Sequence, residues 1–358
     1  MSHIYATILS MNKKVYFLSF LDADYSRSST ILNAKSESFE KKFFKISTGL
    51  VNTFRDFSRI SKELKMADFI VIMSPCHILT IFTWLFTRKP IILDAGWPLI
   101  DGILSRRIVL RSPFRFIITY FIDLFSFYSA RKVIVETELQ SRRVRKLFLV
   151  PRRKIEVIFT GLNEFAFQNP PSPNKIIHQI ESRIKFINNK FVVIFRGKIN
   201  REAGFENILQ VAKELEKFVT FIFVIGKNDF RISYPSNVII VKDISFEEMA
   251  SIYRLADIAL GQLSNHSRLS YTIPHKAFEA GFFSLPYVTF NSMGIRELYD
   301  HECSVLLDNI STSEIKFGIF QAINKQSVYS SKINARYKER ASQDVLNMKF
   351  EKILNSIH

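Results

Sequence analysis

Short apolar runs alternate along the first half of the chain with longer segments that have the length of helices. The runs occupy residues 15–20, 69–73, 90–93, 133–135 and 155–159. Buried strands that alternate with helices are typical of a parallel sheet whose two faces are both covered by helices. The pattern therefore predicts a doubly wound α/β domain over residues 1–168.

A cluster of three prolines interrupts this pattern at residues 169–174, which read Asn-Pro-Pro-Ser-Pro-Asn. Prolines so close together cannot continue a helix or a central strand. We interpret residues 169–189 as a linker region between two domains.

The alternation resumes after the linker. Predicted strands lie at residues 191–195, 220–225, 238–241, 258–260 and 287–290, with helices between them at 205–217, 245–254 and 274–282. This pattern predicts a second doubly wound domain over residues 190–333. Residues 334–358 are rich in charge and have a helical pattern, and we expect this C-terminal helix to pack back towards the N-terminal domain.

Length and composition agree with two packed domains. The 358 residues exceed what one hydrophobic core usually serves, and 47% of them are hydrophobic. The two cysteines, Cys76 and Cys303, are far apart, and the N-terminal residues lack the pattern of a secretory signal. We expect a cytoplasmic protein, either free or peripheral on the inner face of the cytoplasmic membrane.

Basic residues outnumber acidic residues by 50 to 33, which gives a net charge of +17. Such a charge attracts nucleic acid, anionic lipid or phosphorylated substrates alike. Over half of the excess lies between Asp101 and Lys154, a stretch whose first basic residues are Arg106, Arg107, Arg111 and Arg115. It includes the apolar run 114–128, which is too short to span a bilayer. Two interpretations stay open: an amphipathic helix whose arginines contact an anionic membrane, or a buried core helix whose arginines are solvated.

Ligands of open α/β sheets bind outside the carboxyl ends of the strands, so the loops that follow each strand are candidate sites. After the strand at 191–195 comes Arg196-Gly197-Lys198, with Arg201 further along the same loop. The glycine permits close approach of the backbone, and the basic side chains can neutralise a diphosphate. We predict an anion site in this loop, with a solvated basic turn as the alternative.

A second polar loop, at residues 261–268, leads into a helix that Pro274 opens. Proline is favoured at the first helical position. Charged side chains in the first turns of this helix would point into the same cleft as the basic loop after the strand at 191–195. Lys276 and Glu279 lie in this helix, and the Glu279 carboxylate could accept hydrogen bonds from both ribose hydroxyls.

Taken in order, these segments resemble the retaining GT-B glycosyltransferases of the large family-four group, many of which build bacterial surface polysaccharides. Residues 195–198 are similar to the family's strand that ends in Gly-Arg or Gly-Lys, and residues 201–204 to its basic-Gly element. Residues 274–286 are similar to its segment with Pro, Lys, Glu, Gly and Pro. Upstream, residues 130–135 and 154–161 occupy the places of the last two strands before the linker.

The resemblance implies an α/β fold of two Rossmann-like domains that face each other across a cleft, the first binding the acceptor and the second the nucleotide-sugar donor. Lys198 and Arg201 match the basic pair that stabilises the leaving diphosphate, and Glu279 matches the residue that holds the ribose. These three are the predicted catalytic residues. The predicted donor-binding residues are Arg196, Gly197, Gly226, Ile244, Lys276 and Glu279.

The same resemblance implies that the sugar is transferred with retention at the anomeric carbon, by default from a UDP-sugar, to a glycan or lipid-linked acceptor. We expect no cofactor and no metal, because the basic pair takes the electrostatic role of a divalent cation. Candidates on the acceptor side are His77, Asp94 and Trp97, which follow the predicted strands at 69–73 and 90–93.

Two positions depart from the family pattern. Tyr271 stands where many members have a glutamate near the donor sugar, and Ala203 stands where a basic residue often precedes the glycine. In addition, Asp22 and Asp24 look like the paired-aspartate metal motif of the other large glycosyltransferase fold. They directly follow the first strand, which is too early for the nucleotide domain of that fold.

Other functions stay open at this point. A nucleotide-sugar epimerase or a phosphorylase could use the same fold for different chemistry. A basic nucleic-acid-binding protein would explain the charge, but the sequence has no aromatic-interleaved RNA motif, and we expect no nucleic-acid partner. The sequence also has no Cys/His zinc spacing, Walker motif or Gly-x-Ser-x-Gly elbow.

Overall fold

The computed structural model describes residues 13–23, 26–32, 39–105, 112–168, 175–226, 232–242 and 244–357. These residues form two compact units. The first unit contains the described residues up to Ile158 together with those from Asn347 onward, and the second contains Phe159–Leu346.

Six strands form the sheet of the first unit: β1 (Lys13–Ser19), β2 (Phe39–Lys45), β3 (Phe69–Ile72), β4 (Ile91–Gly96), β5 (Lys132–Val135) and β6 (Ile155–Val157). All pairings are parallel, and the strand order is β2-β1-β3-β4-β5-β6. Its helices are α1 (Ser26–Leu32), α2 (Leu50–Leu64), α3 (Leu79–Thr87), α4 (Leu99–Ser105), α5 (Pro113–Ser129) and α6 (Glu138–Phe148).

Apolar strands hold the first unit together. All four residues of β3 and all six of β4 are buried, as expected for the centre of a parallel sheet with both faces covered. Helix α2 is amphipathic and buries Phe57, whose ring lies 5.4 Å from that of Phe82 in α3. Phe350, from the C-terminal segment of the chain, packs against Phe17 of β1, with ring centroids 6.2 Å apart.

The second unit has its own six-stranded parallel sheet: β7 (Phe191–Gly197), β8 (Val219–Ile225), β9 (Val238–Lys242), β10 (Ile258–Leu260), β11 (Tyr287–Phe290) and β12 (Val305–Leu307). Their order is β12-β11-β10-β7-β8-β9. The helices are α7 (Glu164–Gln168), α8 (Lys175–Ile187), α9 (Phe205–Glu214), α10 (Phe246–Tyr253), α11 (His275–Phe282), α12 (Thr312–Asn324) and α13 (Gln326–Arg340). Helix α14 (Gln343–Asn355) begins in the second unit and ends in the first.

The strands that the sequence predicts are all present, and the structure adds two. Strand β2 has the sequence Phe-Glu-Lys-Lys-Phe-Phe-Lys, and β12 has only three residues. Residues 159–168 and 175–189, which the sequence analysis assigns to the first domain and the linker, lie in the second unit, and α8 occupies most of the latter. The proline cluster at 169–174 lies outside the described residues.

The apolar run at 114–128 forms helix α5, and only one of its faces is buried. Asp123, Ser126 and Phe127 are buried, whereas Phe114 is 72% exposed. The alternative of a buried core helix is therefore wrong, because all but three residues of α5 are exposed or half-buried. Arg115 is exposed, and the other three arginines of the cluster, at positions 106, 107 and 111, lie outside the described residues. No described helix is long and apolar enough to cross a bilayer.

Candidate functional site

Two loops meet at the carboxyl ends of β7 and β10, which are neighbouring strands of the second sheet. The backbone N–H of Leu263 donates to the carbonyl of Ala203 over 3.1 Å, and the Ser264 hydroxyl donates to the carbonyl of Glu202 over 2.5 Å. The loop after β7 is thus fixed to the loop after β10. This is the edge of an α/β sheet at which ligands bind.

Gly204 makes the contact between these loops possible. Its φ of +71° lies in the left-handed region, and a Cβ at this position would overlap the carbonyl oxygen of Leu263. Only glycine satisfies both conditions without displacing the backbone. The turn before it is held by Asn200, whose side chain accepts a hydrogen bond from the N–H of Ala203 over 2.9 Å.

A buried carboxylate, Glu279 in α11, lies at the centre of the polar contacts beside these loops. Its Oε1 pairs with the Arg196 guanidinium at the end of β7 and lies 3.0 Å from His275 Nδ1. Its Oε2 accepts from the Tyr253 hydroxyl over 2.5 Å. Burial raises the pKa of Glu279, but the charge of Arg196 and the contact with His275 outweigh this effect, so the pKa is about 2. Glu279 is therefore a permanent anion at neutral pH.

The environment of Glu279 corrects one expectation from the sequence. We expected this side chain in a solvated cleft, yet it is fully buried and both of its oxygens already have partners. Contact with a ribose would require the side chains that cover Glu279 to move, because the carboxylate has no exposed surface. In the structure Glu279 orients Arg196, whose side chain is 29% exposed and can reach a ligand.

Lys276 is a second buried charge-bearing residue of α11. Its Nζ lies 3.3 Å from the carbonyl oxygen of Gly261 and 4.2 Å from the centre of the Phe195 ring. A Cβ on Gly197 would lie 3.2 Å from the same nitrogen, so Lys276 and Gly197 are close neighbours. Burial lowers the pKa of Lys276 to about 7. A bound anion would favour the charged form of this lysine.

His275 provides an unused polar atom at the site. Its Nδ1 faces Glu279, but its Nε2 is buried and has no hydrogen-bond partner among the described residues. Buried polar atoms are normally paired. In the tautomer that places Nδ1–H towards the Glu279 carboxylate, Nε2 is an acceptor and is available to a ligand hydroxyl.

The remaining predicted donor residues surround this cluster at different depths. Lys198 and Arg201 are exposed in the loop after β7 and form no ion pair with any described residue. Gly226 is exposed directly after β8, and Ile244 is half-buried after β9. The structure thus brings Arg196, Gly197, Lys276 and Glu279 together and leaves the other four on the neighbouring loops.

Two members of the cluster are absent from the sequence prediction. His275 stands four residues before Glu279, a spacing that places both on one side of a helix, so the sequence does contain a signal for it. Tyr253 lies at the end of α10 and stacks on Phe283 at 5.2 Å. An aromatic residue in a helix is most often part of the core, and nothing in its sequence context indicates a polar role.

The acceptor-side candidates occupy the first unit, and two of them are buried ion-pairing residues. His77 Nδ1 lies 2.6 Å from Asp123 Oδ1, and Asp123 also accepts from the backbone N–H groups that begin α4. Asp94 is paired with the Arg27 guanidinium, at 2.6 Å from its Nη2. Both contacts serve the packing of the unit. Trp97 is half-buried and follows β4.

The residues that depart from the family pattern are also placed. Ala203 is buried in the turn before Gly204, and Tyr271 is half-buried before α11. Asp22 accepts from Lys45 Nζ over 2.5 Å, and position 24 lies outside the described residues. The paired-aspartate motif therefore has one described member, which is an exposed ion-pair partner.

No protein-family model matches the sequence. Among characterised proteins, the alpha-galactosylglucosyldiacylglycerol synthase of Streptococcus pneumoniae is 25% identical over 149 residues. The matched segment is 38% of this chain and 39% of that relative, so the similarity covers well under half of either protein.

Solved structures resemble this chain along almost its whole length. HepE of Anabaena, in complex with UDP, has a TM-score of 0.72 at 13% identity, over 96% of this chain and 100% of HepE. A glycosyltransferase of Rickettsia africae has a TM-score of 0.66 at 10% identity, over 97% and 100%. UDP-GlcNAc 2-epimerase of Neisseria meningitidis has a TM-score of 0.60 at 14% identity, over 97% and 100%. At such identities the likeness shows the fold, and the predicted GT-B class of two Rossmann-like units is confirmed.

Proposed function

We propose that this protein is a glycosyltransferase that takes a sugar from a nucleotide-sugar donor. The observation that carries the proposal is the cluster in which buried Glu279 fixes the Arg196 guanidinium at the carboxyl ends of β7 and β10. Exposed Lys198 and Arg201 stand on the adjoining loop, so a diphosphate here would meet up to three cations.

The cations provide the chemistry that the donor needs. As the bond between sugar and diphosphate breaks, negative charge grows on the leaving phosphate, and preorganised basic groups stabilise it. We propose that Lys198 and Arg201 fill this role without a divalent metal and that transfer retains the anomeric configuration. HepE, which shares the fold, is seen with UDP-glucose, which makes a UDP-sugar our proposed donor.

We assign acceptor binding to the first unit, with a glycan or a lipid-linked glycan as the acceptor. The name of the Streptococcus pneumoniae relative describes synthesis of a glycolipid, which supports the lipid-linked class. His77 and Asp94 are poor candidates for direct contact with an acceptor, because both are buried and paired. Trp97 is the remaining acceptor candidate.

Transfer of sugar from a panel of UDP-sugars, assayed in chelator, tests this function. We expect Lys198→Ala to lower the transfer rate by a factor that corresponds to about 3 kcal/mol, since it removes one charge-stabilising group from the transition state. The matched control is Lys213→Ala, an exposed lysine on α9, which should transfer at the parent rate. Equal activity of the Lys198 and Lys213 variants would refute the donor-site assignment.

Epimerases share this fold, so the assay must separate the two chemistries. A glycosyltransferase releases UDP only as an acceptor is glycosylated, whereas an epimerase converts the nucleotide-sugar without an acceptor. Product analysis with and without an acceptor therefore decides between them. Conversion of UDP-GlcNAc in the absence of any acceptor would replace our proposal with the epimerase.

A further inference from the structure

One side of helix α5 exposes large apolar side chains to solvent. Four of them form what we call the apolar stripe, with 44% to 72% of each residue exposed: Phe114, Ile117, Ile118 and Phe121. They recur every three or four positions and therefore share one side of the helix. The opposite side is anchored in the unit by buried Asp123 and Phe127. The helix is fixed so that its apolar side faces outward.

Neighbouring helices continue the apolar exposure. Phe125 of α5 lies 5.9 Å from Trp84 of α3, and Phe86 of α3 lies 5.3 Å from Phe54 of α2. Both Trp84 and Phe54 are exposed, at 38% and 58%. Contiguous exposed apolar groups on adjacent elements mark a site of protein or membrane interaction.

The exposed charges on this side of the first unit have one sign. In α2, α3, α5 and α6 every exposed charged residue is basic: Arg55, Arg59, Lys62, Arg115, Arg142, Arg145 and Lys146. The four acidic residues of these helices are buried or half-buried, and each has a partner: Asp56, Glu63, Asp123 and Glu138. Arg88, at the end of α3, lies over the Trp84 ring at 4.4 Å.

We propose that the apolar stripe and the basic residues of these helices dock the first unit on a membrane surface that contains anionic lipid. Apolar side chains enter the boundary of headgroups and acyl chains, while arginine and lysine remain at the level of the phosphates. A second copy of the chain is a poorer occupant, because self-association through this face would bring like charges together. Nucleic acid would bind the basic residues, but its binding would not account for the exposed apolar stripe.

The sequence-based hypothesis places the contact on an amphipathic helix over residues 114–128 and on the arginines at 106–115, and the proposal extends this contact to the neighbouring helices. Here the contact depends on the apolar stripe of α5, on the exposed apolar side chains of α2 and α3 beside it, and on basic residues of α2, α5 and α6. By this face the protein would lie on the membrane surface, as amphipathic helices do. The docking is independent of transfer activity and is measured without a sugar donor.

Sedimentation with lipid vesicles tests the apolar stripe. We expect the parent protein to bind vesicles of phosphatidylcholine mixed with phosphatidylglycerol. The triple variant Phe114→Gln, Ile117→Gln, Phe121→Gln should bind more than about tenfold more weakly, because it lacks the three large apolar side chains that the parent transfers from water into the membrane. The matched control replaces three exposed phenylalanines of the second unit, Phe186→Gln, Phe218→Gln and Phe317→Gln, and should bind like the parent.

A second set of variants tests the charges. Arg55→Gln, Arg59→Gln and Arg115→Gln together should weaken binding to the phosphatidylglycerol vesicles by about a hundredfold, and added salt should weaken binding of the parent. Lys213→Gln, Lys217→Gln and Lys338→Gln make the same charge change on exposed positions of the second unit and should have a much smaller effect.

Three results would overturn the proposal. The first is equal vesicle binding by the parent and both first-unit variants, and the second is equal loss in each variant and its control. The third is a parent protein that forms dimers without vesicles and a stripe variant that is monomeric, which would assign the face to a second copy. All variants change exposed side chains, so circular dichroism should show the parent fold in each.

Discussion

At the scale of single residues, the candidate site is built around the buried carboxylate of Glu279 and its ion pair with Arg196. Glu279 is fully buried, and its pKa of about 2 shows that the contacts with Arg196 and His275 outweigh the cost of burial. Removing one member of a buried pair leaves the other charge uncompensated, which costs more than the pair contributes. The same residue therefore supports both the fold and the position of Arg196.

The first prediction at this scale concerns stability. Glu279→Gln should lower the free energy of unfolding by about 2 kcal/mol, less than for a fully buried pair because Arg196 is partly exposed. Glu206→Gln, an exposed glutamate on α9, is the control and should change it by less than about 0.5 kcal/mol. Urea denaturation at neutral pH measures both.

The destabilisation caused by the same substitution should also depend on pH. Because the pKa of Glu279 is lowered by folding, its contribution is present above the unfolded value of 4.5 and is lost as pH falls towards 2. The destabilisation caused by Glu279→Gln should therefore shrink across this window. A Gln variant as stable as the parent at pH 7 would contradict the pairing that we describe.

The second prediction at the residue scale concerns Lys276, whose lowered pKa also makes stability rise with pH, but in a higher pH window. The unfolded chain holds this proton up to a pKa of 10.5, whereas burial lowers the folded pKa to about 7. Between these values the unfolded state binds more protons, so stability due to this group rises with pH. Lys276→Met should remove that rise.

Denaturation of the parent and the Lys276→Met variant at several pH values from 6 to 10 measures the difference. The control is Lys213→Met, an exposed lysine whose replacement should leave the slope unchanged. A slope that is identical in all three proteins would mean that Lys276 keeps an ordinary pKa, and the buried position would have to be revised.

Sequence reasoning reached part of this site and missed the rest for identifiable reasons. The sequence predicts Arg196, Lys276 and Glu279 because loops after parallel strands and the first turns of helices face ligands, and the structure places these three side chains together. The partners of Glu279 could not be read from the sequence, since one of them, Tyr253, comes from α10. Contacts between residues distant in sequence are set by tertiary packing and leave no local pattern.

At the scale of elements, a strand can be predicted from the sequence when both of its faces are buried, because it is then an apolar run. Strands such as β3 and β8 are apolar runs because both faces of the sheet are covered. Strand β2 stands at the edge of its sheet, and its lysines are the charged residues with which edge strands avoid further pairing. Its mixed pattern conceals it. Strand β12 has three residues, as do β6 and β10, which the sequence predicts, so its length does not explain why it is missing from the prediction.

The joined loops of the candidate site permit a prediction at the same scale. Gly204→Ala should lower the free energy of unfolding by more than about 2 kcal/mol, because alanine is strained in the left-handed conformation of this position and its Cβ would also clash with the Leu263 carbonyl. Gly102→Ala is the control: its position in α4 is open, and alanine should be neutral or stabilising by up to about 1 kcal/mol. Thermal unfolding followed by circular dichroism compares them, and a fully stable Gly204 variant would show that the loops can separate at little cost.

At the scale of the whole molecule, each unit has a hydrophobic core of its own, and every residue of the candidate donor site belongs to the second unit. Charge is also unevenly distributed, since the first unit carries the exposed basic residues of α2, α5 and α6. The units therefore differ in chemistry, and substitutions in one should be separable from ligand binding in the other.

The Asp94–Arg27 pair of the first unit tests this separation. Asp94→Asn leaves the buried Arg27 guanidinium without its counter-charge and should lower the stability of the first unit by about 3–5 kcal/mol. The dissociation constant for UDP should stay within about twofold of the parent value at a temperature where the variant is folded. Hydrogen exchange resolved by segment should show faster exchange in strands β1 to β6, while UDP slows exchange in β7 and β10 of both proteins. Calorimetry that shows UDP binding lost in the folded Asp94 variant, or UDP protection confined to the first unit, would move the donor site out of the second unit and require a new assignment.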